Sequence, residues 1–294
     1  MNPSMDESRI LIVGAYGQLG KALQAKYPKA IAVDRDTFDM TEWDMLSKYD
    51  WSTVDVILNA AAYTNVDGAE SAEGREAAWK INAVAVSYLS RLATEHDKTL
   101  VHVSSDYVFD GTKNPHTEDE PYTPLGVYGQ TKAAGDIAAS MTPKHYILRA
   151  TWVIGEGHNF VRIMMGLAAK NISPSVVNDQ VGRLTFTPQL VSVIDHALQK
   201  QIPYGTYNTT NGGEPASWAD ITRTIFKELG RDDLSVTDTS TAEYFKDKPE
   251  VSPRPLNSIM DLSKLEGTGI TLRDWRDELH EYIAAEQAKP KEQA

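Results

Sequence analysis

The amino-acid sequence predicts an α/β fold, a doubly wound parallel sheet with a smaller mixed α/β lobe, and two observations carry that prediction. Mostly apolar runs recur at 9–13, 30–33, 54–58, 100–103 and 146–149 with helical stretches between them, the β-α alternation of a parallel sheet buried on both faces. Directly after the first run stands Gly14-Ala15-Tyr16-Gly17-Gln18-Leu19-Gly20, followed by Leu23 and Tyr27 at helical spacing from Leu19, so the glycines occupy a strand-to-helix turn.

Composition narrows the field further. The chain has 294 residues, 41 acidic against 29 basic side chains, a net charge of −12 and no cysteine. An acidic balance argues against a nucleic-acid surface, which needs clustered Lys and Arg. The missing thiols exclude disulfides, thiol nucleophiles and cysteine-ligated metals, and they fit a reducing cytoplasm. No run approaches the eighteen or so apolar residues of a membrane span. Residues 1–7 lack the basic start and apolar centre of a signal peptide and read as a disordered leader.

The elements follow in order. At the first turn, glycine lets the backbone approach a pyrophosphate, the helix N-terminus offers unpaired N–H groups, and Gly20 lets helix pack on strand, the logic of a Rossmann-type dinucleotide site. The second strand ends in Asp34-Arg35, about twenty residues past the first glycine. Asp34 suits the ribose hydroxyls of NAD, and Arg35 suits the 2′-phosphate of NADP, so NADH and NADPH both stay open. Asp39 and Met40 are placed to frame the adenine.

The third strand runs into Asn59-Ala60-Ala61-Ala62-Tyr63-Thr64, small residues that leave room in the crevice at a strand's C-terminal end. Asn82 lies in an alanine-rich helical stretch from 71 to 95. It is either a structural staple or a group that orients a carbonyl or water. The fourth strand delivers Ser104-Ser105-Asp106-Tyr107, whose hydroxyls can polarise a carbonyl. Next, Tyr128 and Lys132 stand at i and i+4 on a helix, on one face. A neighbouring ammonium favours the phenolate, so the pair predicts a tyrosine of lowered pKa. Ala133, Ala134, Gly135, Ala138 and Ala139 make this helix thin enough to pack on the sheet or on a second subunit, which leaves a homodimer open. Beyond 150 the pattern loosens, with helices expected at 159–170, 188–199, 217–229 and 272–284, and a short strand at 175–177. The expected division is 8–150 with a returning segment at about 175–200 for the dinucleotide domain, 151–174 and 201–286 for a substrate-binding lobe, and 287–294 as a frayed tail.

Taken together, Gly14-x-x-Gly17-x-x-Gly20, the hydroxyls after the fourth strand and Tyr128-Gly129-Gln130-Thr131-Lys132 resemble the extended short-chain dehydrogenase/reductases. Within them the chain is most similar to the dTDP-4-dehydrorhamnose reductase family, over nearly its whole length. The stretches that carry the likeness include Asn59 to Asp67, Ser105 to Gly111, Arg149 to Gly155, Asn159-Phe160-Val161, Val177 to Gln180 and Arg254 to Ser258.

That resemblance implies an NAD(P)H-dependent reduction of the C4 ketone of dTDP-4-dehydrorhamnose to dTDP-L-rhamnose. By likeness, Ser105, Tyr128 and Lys132 are catalytic: Ser105 and Tyr128 donate to the carbonyl oxygen, Tyr128 as general acid, while Lys132 holds the cofactor ribose. Gly14, Tyr16, Gly17, Gln18, Leu19, Gly20, Asp34, Arg35, Asp39, Met40, Ala60, Ala61, Ala62, Tyr63 and Asn82, together with Tyr128 and Lys132, are expected on the cofactor. Asp106, Tyr107, Trp152, Asn159, Phe160 and Arg254 are expected on the nucleotide-sugar substrate, Arg254 at its diphosphate. Ser105 takes the place of the family's usual threonine, and Asp136 that of a glutamate. Some relatives hold magnesium between subunits through carboxylates. Gln189 occupies the region where one would be sought, so no metal is expected here. The rivals are an epimerase or dehydratase of the same fold and a non-catalytic subunit like the regulatory one of methionine adenosyltransferase. Dehydratases of this kind have Thr-Asp-Glu where this chain has Ser105-Asp106-Tyr107.

Overall fold

The computed structural model describes residues 5–248 and 250–289. Strands β1 (Ile10–Val13), β2 (Ile31–Val33), β3 (Val56–Asn59), β4 (Thr99–Ser105) and β5 (His145–Ala150) form one parallel sheet with a sixth strand, Gly205–Asn208, at its edge. The order is Gly205–Asn208, β5, β4, β3, β1, β2. Helices cover both faces, which is why the strands read as unbroken apolar runs. Ile10 and Ile12 point to a core shared with α1 (Gln18–Lys26) and Leu190, Val193 and Ile194, while Leu11 and Val13 point to the opposite one with Val86 and Leu89.

The sixth strand alters the expected division. Helix Thr187–Lys200 lies in the same core as α1, and Gly205–Asn208 then pairs with β5, so the segment that returns to the first domain runs to Asn208. Ser175–Val177 pairs instead with Thr237–Thr239 and belongs with the second lobe. Short isolated strands carry too little pattern to be assigned from sequence. The second lobe has its own core, in which Val161, Ile221, Ile225, Trp275, Leu279 and Ile283 meet.

Both ends differ from expectation where they are described. Asp6 caps a single turn, Glu7–Arg9, by accepting the Ser8 N–H at 3.0 Å, and this turn feeds directly into β1. Residues 1–4 of the expected leader, and 290–294 of the expected tail, lie outside the described residues. The last helix runs over Trp275–Ala288, capped by Asp274, because Ala284, Ala285 and Ala288 favour helix past Glu286.

The region 71–95 is helical but not uniform. It comprises α2 (Ala72–Trp79), a π-turn Lys80–Val84, and α3 (Ala85–Glu95). The bulge carries Asn82, and it meets the next helix, α4 (Val127–Ser140), at Gly135, where a Cβ would lie 2.2 Å from the Asn82 carbonyl oxygen. Glycine is required there because two backbones touch. That contact seats α4 against the sheet.

Candidate active site

The C-terminal ends of β1 to β4 open into a cleft of about 670 Å³, the place where an open α/β sheet binds ligands. Its floor is the glycine turn. Gly14 has φ +79°, and a Cβ there would lie 2.7 Å from the Ala61 backbone; a Cβ on Gly20 would lie 2.2 Å from the Gly14 carbonyl oxygen. Gly17 caps α1 without a side chain, leaving the first-turn N–H groups of the helix facing the cleft. The lining includes Gly14, Tyr16, Gly17, Gln18, Leu19, Ala60, Ala61 and Ala62. This cradle of bare backbone and helix N-terminus fits a dinucleotide pyrophosphate. Gln18 has a second task, since its Oε1 accepts the Gly155 N–H at 2.8 Å and ties the turn to the second lobe.

At the other end the wall is built by Asp34, Arg35, Asp39 and Met40. Asp34 Oδ1 accepts the Asp36 N–H at 3.2 Å. The Arg35 side chain is 88% exposed, with its Nε 3.8 Å from Asp39. Burial raises the Asp39 pKa, but hydrogen bonds from the Thr41 hydroxyl and N–H, at 2.7 and 2.9 Å, outweigh it and leave the carboxyl below its ordinary value. Ser104, one of the expected hydroxyls, also lines the cleft, as do Thr41, Lys80, Val153 and Leu190, for which the sequence offers no such expectation. Lys80 and Thr41 lie in segments without a motif, and Leu190 enters from a helix distant in the chain.

Three expected cofactor residues stand elsewhere. Gly20 lies behind the turn and serves packing. The Tyr63 ring packs with Ala69, Ala78, Val127 and Tyr128 rather than lining the cleft. Asn82 is a staple: its Oδ1 accepts the Tyr63 N–H at 2.8 Å, and its Nδ2 donates to the Tyr63 carbonyl and the Thr131 hydroxyl, both at 3.1 Å. These contacts favour the structural reading, because both amide hydrogens and Oδ1 are engaged within the fold.

The chemistry-bearing corner lies where β4 ends beside the first turn of α4. Ser105 accepts the Tyr107 N–H at 3.2 Å and donates to Asp106 Oδ1 at 3.1 Å. Ser258 of the second lobe donates to Asp106 Oδ2 at 2.6 Å. Burial pushes the Asp106 carboxyl up to about 6 against these hydrogen bonds. Tyr128 is half-buried, edge-on to Tyr107 at 5.6 Å between ring centroids. Burial pushes its phenol up to about 12, and the Asp106 and Asp136 charges add to the rise, while hydrogen bonding with Ser105 opposes it.

Lys132 is buried, donates to the Val103 carbonyl at 2.8 Å, and is pushed down to about 8 by burial against the pull of Asp136. The expected lowering of the Tyr128 pKa is therefore reversed. The ammonium is turned to a carbonyl of β4, and desolvation of the phenolate dominates. One further group was missed. Glu70 Oε1 accepts the Val127 N–H at 2.9 Å, capping α4 where Gly126 has no side chain to do so.

On the substrate side the expected set divides. Trp152, at φ +40°, stacks on Trp218 at 3.9 Å, and Phe160 lies 4.2 Å from the same ring. Tyr107 stands at the corner itself. Asp106 is buried framework behind Ser105. Asn159 is also framework, since its Oδ1 caps a helix through the Arg162 N–H and its Nδ2 donates to the Gly155 carbonyl and Tyr282 hydroxyl, both at 2.8 Å. Arg254 donates to Asp67 at 2.6 Å and to the Ser252 carbonyl at 2.8 Å, so its guanidinium is engaged with protein groups rather than standing free for a diphosphate. Among the described residues no three His, Asp or Glu side chains are grouped to hold a metal ion. Gln189 Oε1 accepts the Arg273 N–H at 3.0 Å.

Residues 8–288 match the family described as RmlD substrate binding domain. A dTDP-4-dehydrorhamnose reductase of Aggregatibacter actinomycetemcomitans is 38% identical over 291 residues, covering 92% of this chain and 96% of that one. Among solved structures, the dTDP-4-dehydrorhamnose reductase of Clostridium acetobutylicum superposes with a TM-score of 0.88 at 35% identity, over 95% of this chain and 99% of that one. The dTDP-4-dehydrorhamnose reductase of Bacillus anthracis, in complex with NADP, gives 0.85 at 30% identity, over 95% and 99% of the two chains.

Proposed function

The chain belongs to the RmlD substrate binding domain family, and on that footing we propose that it reduces the C4 ketone of dTDP-4-dehydrorhamnose to dTDP-L-rhamnose with NADPH or NADH. The observation that carries this reading is the corner where Tyr107 joins the two hydroxyls, donating its N–H to Ser105 at 3.2 Å and packing edge-on to Tyr128 at 5.6 Å, with Tyr128 lining a glycine-floored cleft. The cofactor, held by the α1 turn and the Asp34 to Met40 wall, supplies a hydride. Everything else falls to side chains. A phenol at about 12 keeps its proton at neutral pH, so Tyr128 is a loaded acid able to protonate an oxygen that gains charge. Ser105, whose proton goes to Asp106 Oδ1 at 3.1 Å here, donates to the same oxygen once its hydroxyl turns from that carboxylate. Lys132 lines the cleft from α4 with its ammonium held at the Val103 carbonyl, and in this reading it holds the ribose.

Elimination chemistry is disfavoured at Tyr107. Burial raises its phenol further from neutrality than that of Tyr128, so the third position of the triplet offers no acid of carboxyl strength. The reading places the enzyme in the cytoplasm. It also includes a homodimer, supported by Ile137 on α4 and Met141 directly after it, which stand 53% and 74% exposed. The test follows oxidation of NADPH and of NADH with dTDP-4-dehydrorhamnose, in wild type and Tyr128→Phe. Stoichiometric turnover that falls by about 10² to 10⁴ in the variant supports the assignment; no turnover by wild type with either cofactor sinks it.

A further inference from the structure

Below Lys132, on the side away from the cleft, lies a buried polar cluster that the reaction as described does not use. Asp136 follows Lys132 by one turn of α4, and both are buried. Arg149 on β5 donates through Nε to Asp136 Oδ2 at 2.9 Å, and is itself anchored on the Glu118 carbonyl and the Tyr122 hydroxyl, both at 3.0 Å. Asp136 Oδ1 faces His102 Nε2 across 4.0 Å, and neither atom has a hydrogen-bond partner among the described residues.

The tautomer of His102 follows from its neighbours. The Ala61 N–H donates to Asn59 Oδ1 at 3.2 Å, which turns the Asn59 amide NH₂ toward His102 Nδ1 at 3.1 Å. His102 Nδ1 must accept, so the ring proton sits on Nε2, facing Asp136. Burial, and then the Lys132 charge, hold this histidine neutral. A carboxylate buried with one oxygen unpartnered is expensive for stability alone, since a buried ion pair is often no better than an apolar pair of the same volume.

We propose that Asp136, one helical turn from Lys132 on the same buried face of α4, is its positioning residue, the counter-charge that keeps its ammonium cationic, with Arg149 as the ion partner of Asp136 in turn. This rests on the preceding reading that Lys132 serves the cofactor. The titratable or charged groups around the pair are Tyr128 on α4, His102 on β4, Asp106 after it, and Arg149 on β5 with Tyr122 behind. Within the pair, Asp136 is the charge that opposes the loss of the Lys132 proton; burial raises its own carboxyl, and the Arg149 charge and the Ser104 hydroxyl oppose that rise. Burial drives that loss. Without the carboxylate, Lys132 deprotonates at lower pH, and a neutral amine grips the ribose less well.

The experiment measures NADPH affinity against pH by quenching of intrinsic tryptophan fluorescence, for wild type, Asp136→Asn and Asp136→Glu. Binding needs no sugar, so an enzyme that fails to reduce dTDP-4-dehydrorhamnose still tests this inference. Expected is an alkaline loss of affinity that moves down by about 1 to 3 pH units in Asp136→Asn, as for removal of a close opposite charge, and that Asp136→Glu restores. Should Asp136→Asn fail to fold with Arg149 left unpaired, the double variant Asp136→Asn/Arg149→Met removes both charges and is expected to show the same displacement. Affinity reduced equally at every pH, with the alkaline limb unmoved, would assign Asp136 a purely structural part and overturn the proposal.

Discussion

The Ser258 hydroxyl donates to Asp106 Oδ2 at 2.6 Å, and so ties the second lobe to the strand end that carries Ser105. Asp106 is buried and its pKa stands near 6, above its ordinary 3.8. A carboxyl raised in the folded state contributes stability while protonated; that contribution fades as pH rises from about 3.8 and is gone above about 6. Ser258→Ala removes one of the bonds that restrain the rise. It is expected to lose about 1 to 3 kcal/mol in urea unfolding at pH 7, where Asp106 is ionised, and to shift the acid limb of kcat/KM upward. An unshifted limb would mean that Asp106 does not govern it.

The two neighbouring groups make a pH profile diagnostic. Tyr128 at about 12 and Lys132 at about 8 lie far apart, so the alkaline limb of kcat/KM belongs to Lys132. Lys132→Arg, whose guanidinium keeps its charge, is expected to flatten the limb between pH 7 and 10 even though its bulk lowers the rate. A limb that persists in this variant would return it to the phenol.

How far the site was legible depended on the scale of the signal. The glycine turn, the strand ends and the Tyr128–Lys132 spacing are local, because each is dictated by backbone geometry within one or two turns of chain, and fold class followed from them. Asn82 and Asn159 show the limit. Both are asparagines in the expected segments, yet whether an amide faces ligand or fold is decided by Tyr63, Thr131 and Tyr282, partners that only the fold brings near. The Tyr128 pKa departs from expectation for a related reason: spacing along a helix places the ammonium on the same face but says nothing about burial or the Val103 carbonyl that holds it. The edge strand Gly205–Asn208 is short and half polar, and pairing with β5 rather than propensity makes it a strand.

Arg35 stands exposed in the cleft wall beside Asp34, and the proposed reading makes it the residue on which cofactor choice turns. A guanidinium there can pair with a 2′-phosphate that NADH lacks. Arg35→Ala is expected to weaken NADPH binding by about 10- to 100-fold, the worth of a charge-assisted hydrogen bond, while NADH binding changes little. Equal loss for both cofactors in fluorescence titrations would remove the 2′-phosphate from its role.

Glu70 joins three parts of the molecule through one carboxylate oxygen. Oε1 accepts the Val127 N–H at 2.9 Å at the start of α4 and the Ser252 hydroxyl at 2.8 Å, two residues before Arg254. Asp67, in the same loop, accepts the Ser252 N–H at 3.2 Å and pairs with Arg254 at 2.6 Å. The loop therefore sets the first turn of the helix that carries Tyr128 against the segment expected to face the nucleotide sugar. Losing a helix cap alone costs about 1 kcal/mol, too little to unfold a chain of this size. A misplaced catalytic turn costs more in rate than in stability, because proton transfer depends on ångström-scale alignment. Glu70→Ala is thus expected to lower kcat and raise the KM for the nucleotide sugar, while NADPH affinity, set by the α1 turn and the Arg35 wall, stays near wild type. Equal weakening of sugar and cofactor would point instead to general loosening of the first domain, and a change confined to thermal stability would leave Glu70 as a cap and nothing more.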